Sequence, residues 1–432
     1  MTGSFGWTQL QGTVDIVEGS ARIDLVAMLL GGGSVWLDDF SLVPLAELSL
    51  EERTARMPEL AGYAAGDSAY VFDVQSVSQV GKPSAAGAGD DLVRLQVALP
   101  LSDSHQIPIG LDLWTEPASS LRSARIRRDT LGNAVAELAI DARDGARDMP
   151  AGLGRGVLLH WNARVLVLPE RLTPLAHANL PAAWPEQTRQ WLEPTPCAQS
   201  ADSQIVRIAR AIRSGSSDVA DIIQRTLTTL YGRQANLLSG VATFDAVAAL
   251  TYQGSCVSRA NLMVALLRAN GIPARMLSGI ATWAGPHEVH VIVEAWTPTQ
   301  GWVRVEPSRL QAPWAACMQI NVSLVGRAAE FKGAEARPGG VACLPYLALV
   351  EFDRDCDDCR WVGVLNAALG AGQQATRELA RSASADPEAW TAASRQARAD
   401  WDGWLASSPR LNERGHLVAV ADNKQLSIMF MK

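Results

Sequence analysis

The sequence predicts an α+β protein, and three observations predict it. Apolar and polar residues alternate along 93–99 and again along 159–167, which is typical of half-buried antiparallel strands. Apolar residues recur every three or four positions along 205–230, which indicates amphipathic helices. Two strand-like segments, HVIVEAW and GWVRVEP, follow those helices. Because the helices come first and the strands after them, the pattern favours α+β over a parallel βαβ array.

Length and composition set the domain count and exclude one class of partner. A chain of 432 residues with 48% hydrophobic residues has material for two to four packed domains. Its formal net charge of −7 argues against nucleic acid as the main partner, since phosphate binding needs clustered Lys and Arg. No apolar stretch is long enough to predict a transmembrane segment, and the beginning lacks the pattern of a signal peptide. Six cysteines are too sparse for a disulfide scaffold.

The first segment, 1–45, predicts β-strands separated by glycines. Gly6-Trp7 and the run Val35 to Phe40 resemble the last strands of the jelly-roll modules that are attached to secreted enzymes. The pair Asp38-Asp39 is typical of solvated turn carboxylates, with calcium as the less common alternative.

A β-sandwich domain is predicted over 69–168. Its strands alternate as described above, and turn signals such as the run Asp129 to Asn133 separate them. The period becomes helical after the linker LEPTPCAQSADS, and two helices are predicted before the cysteine of the next domain, 198–325.

The last segment, 326–432, is predicted to be a partly helical extension. Five residues at spacings of three and four predict a helix whose apolar stripe packs on the body of the protein: Trp390, Ala393, Ala397, Trp401 and Trp404.

The stretch GSCVSRANLMVALLRANGIPAR predicts a helix that begins next to a cysteine. Ser255 or Gly254 is a suitable N-cap for a helix over 256–269, and the run Asn270 to Pro273 is a strong stop signal. Cys256 therefore falls in the first turn, where the helix dipole favours the thiolate and free N–H groups can stabilise an oxyanion.

A base and a carboxylate follow on the two predicted strands. If Trp296 opposes Trp302 across the hairpin, Glu294 opposes Arg304 and Glu306 lies diagonal to His290, within reach of a long side chain. This arrangement supplies a nucleophile in Cys256, a proton carrier in His290 and an orienting carboxylate in Glu306. Glu294 is better explained as part of a structural pair than as a catalytic group.

These segments resemble the core of the transglutaminase-like superfamily, with its G-x-C, a helix and GIPAR, then H-x-x-x-E, then GW with D-P. The resemblance covers about 198–325 and implies a papain-like fold with a Cys-His-Asp triad that acts on amides. Glu306 stands where the family usually has Asp. LPLSDSHQIP and DTLGN resemble the β-sandwich that precedes this core in many bacterial members. No cofactor is implied, and the resemblance to exported modular enzymes favours a periplasmic or secreted location.

Several details of the predicted site have more than one interpretation. The side chain that completes an oxyanion hole is expected from Gln253, Tyr252 or Trp283, with no preference among them. A metal is not predicted, because His287 and His290 would point to opposite faces of a strand. The CxxC of Cys356 and Cys359 reads as free thiols, with a local disulfide or a zinc site completed by Cys317 and Cys343 as alternatives.

The predicted function is that of a cysteine-dependent enzyme acting on a protein or peptide amide through a thioester. Hydrolysis is favoured over transfer to an amine, because nothing in the sequence marks an amine-acceptor site. The alternative is a degenerate scaffold, or a carbohydrate- or protein-binding protein, which the Glu306 departure and the 14 tryptophans motivate. Nothing in the sequence fixes the oligomeric state.

Overall fold

A computed structural model describes most of the chain between residues 70 and 420. The described residues are 70–81, 92–128, 131–141, 147–148, 155–168, 173–234, 245–251, 256–281, 289–308, 312–313, 319–325, 334–337, 340–343, 348–351, 374–379 and 387–420. The predicted strands of 1–45, with Asp38-Asp39, and the CxxC of Cys356 and Cys359 lie outside these ranges.

The region predicted as a β-sandwich consists of antiparallel strands. They are β1 (Tyr70–Gly81), β2 (Leu92–Ala98), β3 (Gln106–Glu116), β4 (Leu121–Arg128), β5 (Ala134–Asp141), β6 (Arg147–Asp148) and β7 (Arg155–Val167). The alternating residues of β7 from Leu159 to Val167 are buried, as their period of two predicts.

Strands from the last hundred residues complete the two sheets of this region. β14 (Ala348–Glu351), β15 (Gln374–Leu379) and β16 (Leu417–Val420) pair with β2, β1 and β3 respectively. In the described part of the chain, the first sheet runs β15-β1-β7-β3-β16 with β6 also on β7, and the second runs β14-β2-β5-β4. A separate hairpin joins β12 (Ala334–Arg337) to β13 (Gly340–Cys343). The segment predicted as an extension therefore shares its hydrogen bonding with the β-sandwich.

The helical layer begins with a single turn, α1 (Glu186–Arg189), and continues through α2 (Ser203–Arg213), α3 (Val219–Gln234) and α4 (Cys256–Ala269). Asp202 caps α2, because its side chain accepts hydrogen bonds from the N–H groups of Gln204 and Ile205. The apolar residues that predicted two helices before the cysteine are buried on α2 and α3, except Ile208, which is partly buried against the same cluster. The prediction of these helices is confirmed.

A four-stranded antiparallel sheet follows, in the order β10-β9-β8-β11. Its strands are β8 (Ala274–Ala281), β9 (Val289–Thr297), β10 (Gly301–Val305) and β11 (Gln319–Val325). Its two faces enter different cores: Val291, Val293 and Ala295 pack in the cluster that contains α4, whereas Ile292 and Leu277 pack with the β-sandwich. Helices followed by antiparallel strands confirm the predicted α+β class.

Polar contacts tie this sheet to the β-sandwich at one residue of β11. The side chain of Gln106 donates to the Asn321 carbonyl at 2.7 Å and accepts from the Asn321 N–H at 2.9 Å. Gln106 and Asn321 are both 1% exposed, so this pair satisfies buried groups that would otherwise cost free energy.

The last helix, α5 (Pro387–Ala406), carries the predicted apolar stripe. Ala393 and Ala397 are fully buried against Val71 and other residues of the first sheet, and Trp401 joins the sandwich core. Trp404 stacks on Trp401 and donates its indole N–H to a carbonyl of β16 at 3.0 Å. These four residues of the stripe form a packing surface, as predicted, and the side chain of Trp390 lies outside what the structure describes. None of the described helices combines the length and hydropathy needed to cross a bilayer.

Candidate active site

The candidate site forms around the first turn of α4, which begins at Cys256. Cys256 has a free thiol and is partly exposed, while nearly all of the helix behind it is buried. The predicted caps Gly254 and Ser255 lie outside the described residues.

The other end of α4 is fixed by a glycine in the left-handed region. Gly271 has φ +80°, its N–H donates to the Arg268 carbonyl, and the N–H of Ile272 donates to the Leu267 carbonyl. This pair of hydrogen bonds is a Schellman motif, which ends the helix at the predicted stop signal. Trp184 donates to the Gly271 carbonyl at 2.7 Å and holds the turn in place.

The hairpin β9–β10 has the register predicted from the tryptophans. Trp296 opposes Trp302, and Glu294 opposes Arg304. Gly301, with φ +72°, begins β10 after the turn. Glu306 directly follows β10 and therefore lies diagonal to His290 on β9, as predicted.

Glu306 reaches His290 across that diagonal. Nε2 of His290 donates a hydrogen bond to Oε2 of Glu306, and both residues are buried, Glu306 completely. Oε1 of Glu306 accepts a second hydrogen bond from the Ser308 N–H at 2.6 Å. The carboxylate is thus held at both oxygens, and the longer side chain of glutamate spans the gap between the strands.

His290 is also hydrogen bonded to the side chain of Cys256. Burial by itself lowers the pKa of His290, but the hydrogen bonds to Cys256 and Glu306 and their negative charges outweigh burial and raise that pKa to about 9. The imidazole therefore carries a proton at neutral pH. The structure brings Cys256, His290 and Glu306 into one hydrogen-bonded series.

A fourth residue, Arg259, lies beside this series and was not singled out from the sequence. Burial lowers the pKa of its guanidinium, and the charges of Glu306 and Cys256 oppose that shift. The available sequence signal was its position three residues after Cys256, which places both side chains on one side of a helix.

Further along the same hairpin, Glu294 belongs to a different cluster. Although Arg304 opposes it in the register, Glu294 forms its ion pair with Arg275 of β8, at 2.7 Å. The Arg275 guanidinium lies over the Trp302 ring, 3.9 Å from its centroid, and Trp296 packs edge-on against Trp302. This is the structural pair that the sequence indicated, with a different arginine.

The three candidate oxyanion donors, Gln253, Tyr252 and Trp283, lie outside the described residues, as does His287. Within the described ranges, no group of three or more His, Cys, Asp or Glu side chains is arranged to hold a metal ion. Cys197, in the linker before α2, is disulfide-bonded. Its partner is outside the side chains that the structure describes.

The comparison with protein families assigns the region that contains this site. Residues 206–307 match the transglutaminase-like superfamily. The match contains Cys256, His290 and Glu306, whose motifs indicated this superfamily.

The chain is similar to a protein-glutamine gamma-glutamyltransferase of Pseudomonas aeruginosa, with 33% identity over 135 residues. That match covers 29% of this chain and 20% of the relative, so the chain matches about a fifth of the length of that protein.

Two solved structures are similar at lower identity. One is described as a candidate cysteine protease from Cytophaga hutchinsonii, with 17% identity, a TM-score of 0.45, and coverage of 72% of this chain and 98% of that chain. The other is the periplasmic domain of TgpA from Pseudomonas aeruginosa, with 14% identity, a TM-score of 0.27, and coverage of 59% and 91%.

Proposed function

We propose that this protein is a cysteine-dependent enzyme that cleaves an amide or peptide bond through a thioester on Cys256. The observation that carries the proposal is the hydrogen-bonded series from Cys256 through His290 to Glu306. A charged imidazole between a sulfur and a fixed carboxylate is the arrangement that nucleophilic cysteine catalysis requires.

In the first step, the Cys256 thiolate attacks the carbonyl carbon of the substrate. The C–S bond forms as the carbonyl oxygen takes up negative charge, and backbone N–H groups in the first turn of α4 stabilise that oxyanion. When the oxyanion collapses, the C–N bond breaks and His290 transfers its proton to the leaving nitrogen. The products are a free amine, a thioester and a neutral imidazole.

In the second step, neutral His290 removes a proton from water, and the resulting hydroxide attacks the thioester. The C–S bond breaks, the carboxylic acid leaves, and the thiolate and imidazolium are restored. Glu306 keeps Nε2 of the ring in place throughout, because both of its oxygens are engaged. A primary amine in place of water would give acyl transfer. Hydrolysis is favoured, since water needs no acceptor site.

The test uses a library of peptides and glutamine-containing proteins, assayed with and without a fluorescent alkylamine. We expect peptide cleavage or release of ammonia by the wild type, and loss of turnover by more than about 10³-fold in Cys256→Ala. Incorporation of the alkylamine would show transfer instead of hydrolysis. Full turnover by Cys256→Ala on every accepted substrate would overturn the mechanism and favour the scaffold alternative.

A periplasmic or secreted location is part of the proposal. The disulfide at Cys197 supports it, because structural disulfides persist in oxidising compartments. Quantitative thiol labelling of the protein isolated from its native compartment tests this, and a fully reduced Cys197 would contradict it.

A further inference from the structure

The exposure of α4 singles out two residues beside the candidate site. Every residue of this helix is buried except Cys256, Arg259 and the last residue, Ala269. Residues three apart on a helix lie about 5–6 Å apart at Cβ, so the thiol and the guanidinium reach solvent on the same side of α4, and the surface between them is called the opening below.

Arg259 is a cation that feels the negative charges of Glu306 and Cys256 without forming an ion pair with any residue that the structure describes. Among the described residues, the structure gives it no hydrogen bond and no ion pair. Glu306, the nearby carboxylate, already uses both oxygens, for His290 and for the Ser308 N–H. A half-buried guanidinium has five donors, and the described residues satisfy none of them, so an anion that enters the opening gains a strong partner.

We infer that Arg259 binds a carboxylate of the substrate, next to the carbonyl group that Cys256 attacks. The acyl donor would then carry an acidic side chain or a free terminal carboxylate at the reacting residue or beside it. This inference rests on the proposed function, since it assumes that the same opening admits the substrate.

Guanidinium chemistry favours this ligand over a neutral one. The planar fork of arginine matches the two oxygens of a carboxylate, and partial burial strengthens the interaction by excluding water. Arg259 is a specificity-determining residue in this account, and the proton transfers remain with His290.

The first test compares two alkylating reagents on the whole protein. Iodoacetate and iodoacetamide both react by displacement of iodide by sulfur, but only iodoacetate carries a carboxylate beside the reacting carbon. The measured quantity is the rate at which Cys256 reacts with iodoacetate divided by its rate with iodoacetamide. We expect this ratio to be about tenfold higher in the wild type than in Arg259→Met. The ratio cancels any change in thiolate population, which affects both reagents equally.

Two further variants serve as controls. Arg259→Lys keeps the charge without the fork, so its ratio should fall between those of the wild type and Arg259→Met. Arg210→Met removes an exposed charge on α2 and should leave the ratio unchanged. An equal ratio in the wild type and Arg259→Met would overturn the inference while leaving the proposed function intact. Failure of both reagents to modify Cys256 would overturn the proposed function itself.

The second test separates the two sources of the carboxylate. Peptide pairs that differ only by Glu or Gln beside the cleaved bond report on a side chain, and pairs with a free or amidated C-terminus report on a terminal carboxylate. In one of these two sets of peptides, the wild type should have a kcat/KM about tenfold higher for the peptide with the carboxylate than for its neutral partner. Arg259→Met should show no such preference. No preference in either series in the wild type would overturn the inference.

Discussion

Two buried carboxylates on the hairpin β9–β10 have opposite surroundings. Glu294 is paired with Arg275, whose guanidinium is permanently charged and lies over an indole ring. Glu306 is paired with His290, whose charge depends on pH and which also contacts a partly exposed thiol. Glu294 is 7% exposed and Glu306 is 0% exposed, so burial does not distinguish them.

The difference lies in what the partner cation can do. Arginine does not release its proton in a protein, and the contacts of Arg275 that the structure describes are with Glu294 and two tryptophans. Histidine can release a proton and take it back. The same kind of ion pair therefore serves packing at one end of the hairpin and, in the proposed mechanism, proton transfer at the other.

The largest expected effect comes from the same substitution made at each carboxylate. Glu306→Gln should lower kcat/KM by about 10³-fold, because the neutral amide no longer supports the charged imidazole. Glu306→Asp should retain part of the activity, limited by its shorter reach to His290. Steady-state kinetics on an accepted substrate provide the measurement.

Glu294→Gln is the matched control for that measurement. Its kcat/KM per folded molecule should remain within about twofold of the wild type, since Glu294 contacts none of the reacting groups in the mechanism. A comparable loss of activity in both variants would show that the two carboxylates do not have separate roles.

The next largest effect concerns stability. Glu294→Gln should lower the free energy of unfolding by about 3 kcal/mol, because it leaves the partly buried guanidinium of Arg275 without its counterion. Urea denaturation of the wild type and the variant checks this value. If the variant kept the stability of the wild type, the aromatic contacts alone would be sufficient to hold Arg275.

The smallest effect is a dependence of stability on pH. The pKa of His290 is raised from 6.5 to about 9, so the folded protein holds this proton more tightly than the unfolded chain. The resulting stabilisation is fully present below pH 6.5 and is lost as pH rises through 9. The stability of the wild type relative to His290→Gln should fall by about 2 kcal/mol over this interval.

Urea midpoints measured at half-unit steps from pH 6 to 10 test this dependence. Glu294→Gln should show the same slope as the wild type when each is compared with the corresponding protein that also carries His290→Gln, because Glu294 forms its ion pair with Arg275 and not with His290. A flat difference between the wild type and His290→Gln would contradict the raised pKa.

Local signals in the sequence were enough to predict much of the site. The glycine and proline after α4 determine where the helix ends, and the spacing of Trp296 and Trp302 around a turn determines the register that brings Glu306 to His290. The catalytic roles of the three residues remain predictions, as do the oxyanion donors.

Contacts between distant parts of the chain were not predictable in this way. Nothing local to β15 indicates that it pairs with β1, about 300 positions earlier, since many antiparallel pairings satisfy the same alternation. The ion pair of Glu294 with Arg275 rather than Arg304 depends on side-chain packing among tryptophans. Arg259 was not predicted, because helical spacing alone does not reveal which positions of a mostly buried helix are exposed to solvent.

The closure of the β-sandwich by β14, β15 and β16 has a consequence for how the protein is made. A ribosome produces β1 to β7 and the whole region 206–307 before β14, β15 and β16, which pair with the outer edges of β2, β1 and β3, exist. During that time the first sheet has unpaired edges, which are the parts of a nascent sheet that associate with other chains. The cysteine-containing region thus emerges between the two halves of its neighbour, and the neighbour is complete only after the last strand has emerged.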